Sequence, residues 1–129
     1  MKKIIATAFA LLPCLFASAA SDAILLKKGK KVFTGIGACA ACHGPKGAGD
    51  GPTAAALNPK PRSFVDAQFK FDTDKDGKTG TTADLTNIVT KGAMAYGGSP
   101  LMAPRPDIKG DDLKGLILYV ESLKKPAAK

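Results

Sequence analysis

The chain has 129 residues, with 19 lysines and arginines against 11 aspartates and glutamates for a formal charge of +8, and it carries 14 glycines, 9 prolines and 3 cysteines. That length holds one domain with a thin core and excludes a multidomain architecture, since a chain of about 100 residues buries only about two-thirds of its unfolded surface. The basic balance suits acidic partners or anionic surfaces, but no aromatic-rich basic stretch offers the stacking surface that nucleic-acid binding uses.

Residues 1–20 have the pattern of a signal peptide: Lys2 and Lys3, an apolar middle from Ile4 to Phe16, and the small residues Ala17-Ser18-Ala19-Ala20 before a cleavage point near Ala20. Cys14 lies in the apolar middle and leaves with it. Leu12-Pro13 before it lacks the small residue of a lipoprotein cleavage site. Removing Lys2 and Lys3 takes the formal charge from +8 to +6 for residues 21–129. The apolar run is too short to span a bilayer comfortably, and no later segment approaches that length. The expectation is an exported, periplasmic protein with no transmembrane segment in its mature form.

From Asp22, the apolar residues Leu25, Val32, Phe33 and Ile36 recur at helical spacing with Gly29 on the same stripe, and Lys27, Lys28, Lys30 and Lys31 lie opposite. Glycine there costs helix propensity, which predicts a notch into which another helix packs. Gly35 and Gly37 loosen the turn that follows.

Cys39-Ala40-Ala41-Cys42-His43 is a C-x-x-C-H run, the attachment site of one c-type haem. One helical turn presents both thiols to the vinyl groups of the porphyrin, and the adjoining imidazole reaches the iron. A zinc site wants a second Cys/His pair, and past residue 20 there is none. A thioredoxin-like dithiol would open a helix after a strand, whereas a helix precedes Cys39. His43 is the only histidine, so a second protein ligand to the iron must be a methionine sulfur, a lysine amine or the amino terminus, unless the position is open. Met94 and Met102 are the methionines available. Folding is expected to depend on the haem, which fills the centre of a thin core.

Residues 44–62, rich in glycine and proline, form an irregular loop. Asp72, Asp74 and Asp76, with Gly77 in the sixth position, resemble the first half of a calcium-binding loop, but the twelfth position holds Ala83 where a bidentate glutamate belongs. Calcium binding and a solvated turn both stay open. Thr81 with Asp84 forms a capping box for a helix over Thr82–Lys91, with Leu85, Ile88 and Val89 on one side and Gly92 as the C-cap. Residues 93–109 form a second irregular loop holding both methionines. Asp111 and Asp112 favour a helix start, and Leu113, Leu116, Ile117, Val120 and Leu123 continue it until Lys124-Lys125-Pro126. This third helix is the candidate for the Gly29 notch.

Together, Gly29-x-x-x-Phe33, the Cys39–His43 motif, the methionine loop and a final helix bearing Tyr119 resemble a class I c-type cytochrome across residues 21–129. The resemblance implies an all-α cytochrome c-like fold: about three helices, with long loops wrapped around one covalently bound haem c. It implies crossing first and last helices near Gly29, Phe33 and Tyr119, and a sixth ligand at Met102, which Pro104 follows at the family's spacing; Met94, at the end of the second helix, takes a packing role. It also makes Pro52, in Gly49-Asp50-Gly51-Pro52, the residue whose carbonyl accepts a hydrogen bond from His43. For Arg62, in Pro59-Lys60-Pro61-Arg62, two readings stay open: a bidentate donor to a haem propionate, or a solvated side chain.

The implied function is one-electron transfer between exported redox partners with acidic docking surfaces, without bond-making chemistry and with no more than peripheral contact to membrane complexes. The alternatives are a haem subunit accepting electrons from a bound dehydrogenase or oxidase, and a haem peroxidase or gas sensor. The last needs an open iron site and has no second histidine for acid-base work.

Overall fold

The computed structural model describes residues 14–125; most of the expected signal peptide, residues 1–13, lies outside the described residues, as do 126–129. Among the described residues the regular structure is all helical, without a strand: α1 (Cys14–Thr34), α2 (Cys39–His43), α3 (Thr82–Lys91) and α4 (Gly110–Ser122), with 3-10 turns at Ala54–Ala56 and Ala93–Tyr96. The three expected helices are present, and the C-x-x-C-H run is a short fourth.

Helix α1 begins before Asp22, because Ala17-Ser18-Ala19-Ala20 contains nothing that interrupts a helix. On the predicted stripe Gly29, Val32 and Phe33 are buried and Leu25 half-buried. Ile36 is a correction: it is 66% exposed, since α1 stops at Thr34 and the helical period no longer sets its direction.

The framework is the crossing of α1 and α4, and Gly29 meets a second glycine there, Gly115. A Cβ on Gly29 would overlap the Gly115 carbonyl, and one on Gly115 would stand 2.5 Å from the Leu25 oxygen. Two backbones therefore touch where side chains would hold them apart. Around the crossing, Val32 and Phe33 pack with Leu85, Ile108, Leu116, Ile117 and Val120 as the buried core. Phe33 has no exposed surface and meets the rings of Tyr119 and Phe64 edge to face at 5.3 and 6.4 Å.

Helix α3 starts with the expected capping box. The Thr81 hydroxyl accepts from the Asp84 N–H, and the Asp84 carboxylate accepts from the Thr81 N–H. The same carboxylate also accepts from the Thr81 hydroxyl and from both the N–H and hydroxyl of Thr73. Asp84 is only 1% exposed; burial raises its pKa, but these donors outweigh burial and lower it to about 2. One oxygen from each of Asp72, Asp74 and Asp84 lies within 4.8 Å of the others, so the acidic loop folds back on the helix rather than closing through Asp76. Asp72 accepts the N–H groups of Asp76 and Gly77, and Asp76 that of Lys78.

A folded pKa below the unfolded value stabilises the protein above the unfolded pKa, and that contribution is lost as pH falls through the folded one. From pH 5 to pH 2, protonation of Asp84 should remove about 2 kcal/mol of stability. Asp84→Asn should lower stability at pH 7 and flatten this acid limb in denaturant titrations; an unchanged slope would show that other carboxylates set it.

After α4, the Lys124 ammonium sits 4.7 Å from the centre of the Phe69 ring and donates to the Gly80 carbonyl. The Lys125 N–H donates to Val65. These contacts draw the loop around Phe64–Phe71 onto the end of α4 and form one side of a cleft whose other side is α3.

Candidate functional site

Helix α2 is a single turn, entered through Ala38 with φ 52°. A helix this short leaves most of its carbonyls without internal donors. The segment after it supplies them: the N–H groups of Gly49, Gly51 and Thr53 donate to His43, Cys42 and Ala41 respectively. Gly51 is required by closeness, since a Cβ there would stand 2.6 Å from the Cys42 oxygen.

This capping corrects the role expected of Pro52. The Gly49–Thr53 segment presents its N–H groups to α2, and Pro52 is exposed. The carbonyl that holds His43 is that of Arg62, 3.0 Å from Nδ1. A carbonyl only accepts, so Nδ1 carries the proton and Nε2 keeps its lone pair. Burial lowers the pKa of His43, against a smaller opposing effect of the Arg62 bond, which keeps the ring neutral at pH 7. The Phe64 ring stacks on the imidazole at 4.4 Å and 22°.

Cys39 and Cys42 are free thiols, both half-buried. Burial raises the Cys39 pKa, and nearby Arg105 lowers it by less, so the sulfur is a thiol at neutral pH. Its S–H points back to the Gly37 carbonyl, and the Cys42 sulfur lies 3.3 Å from the Thr53 hydroxyl, which donates to the Ala41 carbonyl.

Cys42 and His43 open onto a cleft of about 480 Å³, within the usual size range of cofactor sites. Phe69, Phe71, Leu85, Ile88 and Val89 supply apolar walls, so the side of α3 read as apolar faces the cleft. Lys60, Arg62 and Lys70 bring positive charge to the same walls. Met102 is in the wall; Met94 is not, and it is 69% exposed rather than packed as expected. Cys39 and Pro52 are likewise outside the lining residues.

A neutral imidazole held at one nitrogen, a neighbouring thiol, an apolar enclosure and a thioether fit a haem better than a polar metabolite. Sequence reasoning missed the Arg62 carbonyl, which no side-chain pattern announces, and it missed Arg105. The available signal for Arg105 was composition: 17 of the 19 basic residues are lysine, and the two arginines are Arg62 and Arg105.

No curated protein and no solved structure matches the chain. The sequence model of the cytochrome c family matches residues 26–124, from within α1 to just beyond α4, so the match takes in the cysteine motif, the cleft and the helix crossing together. Coverage of that extent means that the chain belongs to the cytochrome c family and works as a haem-based electron carrier.

Proposed function

We propose that this protein is an exported, periplasmic carrier of single electrons with one haem c, bonded through Cys39 and Cys42 and ligated by His43 and Met102. The observation that supports this best is the shared cleft of His43 and Met102, with Met94 turned to solvent. When bound, the haem supplies a metal that gains or loses one electron.

The residues of the chain do the rest. The Arg62 carbonyl fixes the His43 ring and raises the basicity of Nε2. Phe69, Phe71, Leu85, Ile88 and Val89 exclude water, which limits the charge reorganisation that accompanies electron transfer. Arg62, Lys60 and Lys70 provide cationic partners for haem propionates. With its only histidine placed as a ligand, the site has no imidazole left for acid-base chemistry, which supports a carrier over a peroxidase.

No described helix is long and apolar enough to cross a membrane. Lysines outside the cleft would steer encounter with acidic redox proteins. Association rates should therefore fall as ionic strength rises past 0.1 M, where charges more than about 10 Å apart are screened; rates indifferent to salt would remove the acidic-partner part of the proposal.

Maturation in cells that attach haem c should yield a red protein heavier than the polypeptide by one haem. Its reduced form should not take up carbon monoxide. Ready uptake would mean an open sixth position and overturn the carrier reading.

A further inference from the structure

Three residues after Met102, Arg105 joins parts of the chain that are far apart in sequence. Its backbone N–H donates to the Val89 carbonyl at 2.7 Å, seating it at the end of α3. Its guanidinium donates from Nη1 to the Gly37 carbonyl and from Nη2 to the Ile36 carbonyl, both at 2.8 Å. Nε and Nη2 are paired with the two carboxylate oxygens of Asp107 at 2.9 and 2.7 Å. The planar group is thus fixed on one edge by Asp107 and gives two further donors to backbone.

The two carbonyls lie just past the end of α1, where helical donors have run out. Ala38, next in the chain, has the left-handed backbone that residues with a Cβ avoid, and Cys39 follows it. The Met102 segment has few other ties. The Ala93 N–H donates to the Met102 carbonyl and the Met102 N–H to Ser99, while Leu101 beside it is 61% exposed. One side chain therefore fastens the methionine loop to the turn that leads into the cysteine motif.

We propose that Arg105, held in plane by Asp107, is a positioning residue that keeps the Met102 sulfur on the iron by tying residues 102–105 to the Ile36–Gly37 turn. The proposal rests on the assignment of Met102 as ligand. Lysine could not substitute, because a single ammonium lacks the fork that reaches two carbonyls and a carboxylate at once.

The test is imidazole binding to the ferric holoprotein, followed optically, with denaturant midpoints measured in parallel. An external ligand binds in proportion to the fraction of molecules whose methionine has let go. Arg105→Lys should bind imidazole about tenfold more tightly than the parent, equivalent to about 1.4 kcal/mol. Asp107→Asn, the milder change, should shift affinity in the same direction by a smaller factor, and Met94→Ala should not shift it. Met102→Ala should bind tightest of all. Parent-like imidazole affinity in both Arg105→Lys and Asp107→Asn, whatever happens to their denaturant midpoints, would reduce Arg105 to a structural tie and sink the proposal. Parent-like affinity in Met102→Ala would instead overturn the ligand assignment beneath it.

Discussion

Met102→Ala is expected to abolish the sulfur-to-iron charge-transfer absorption of the ferric protein, lower its midpoint potential and open the reduced iron to carbon monoxide, whereas Met94→Ala should change none of these. Both side chains are thioethers in one glycine- and proline-rich loop, so chemistry alone does not separate them. Position does: Met102 is half-buried in the wall of the His43 cleft, and Met94 is exposed. The loop is also brought close at Met102. Gly92, with φ 78°, lets the end of α3 lie where a Cβ would stand 2.9 Å from Pro104 Cδ and 3.1 Å from the Met102 oxygen. Losing the sulfur removes a ligand that favours the ferrous state, which sets the direction of the potential change. Survival of the absorption band in Met102→Ala, or its loss in Met94→Ala, would refute the assignment.

The second large effect is on stability. Gly29→Ala and Gly115→Ala should each destabilise the holoprotein by about 3 kcal/mol or more, read from urea denaturation. Overpacking is usually relieved by rotating a side chain, but here the obstacle to each new methyl is backbone: the Gly115 carbonyl in one case and the Leu25 oxygen in the other. Relief requires α1 and α4 to move apart, which loosens Phe33, Leu116 and Val120 together. Ile24→Ala, at a site on α1 that is 69% exposed, should cost no more than about 0.5 kcal/mol. A Gly115→Ala midpoint equal to that of the parent would show that the helices tolerate a wider separation.

The sequence by itself determined what depends on neighbours in the chain. The Cys39–His43 run is legible because two thioether anchors and an adjoining imidazole must occupy one helical turn. The bounds of α3 are legible because its Thr81–Asp84 capping box and Gly92 end are local. The notch at Gly29 was legible as well, since a glycine on an apolar stripe has no local justification; its partner Gly115 was not singled out, although it too interrupts an apolar helix. Tertiary structure alone decided the rest. It chose Arg62 over Pro52 as the acceptor for His43, put Ile36 and Met94 in solvent, and sent the Arg105 guanidinium to carbonyls 68 and 69 residues away. Each of these involves a backbone oxygen or a change of direction beyond a helix end. Every residue carries the same carbonyl whatever its side chain, and hydrophobic periodicity stops where the helix does, so only the path of the folded chain shows which groups meet.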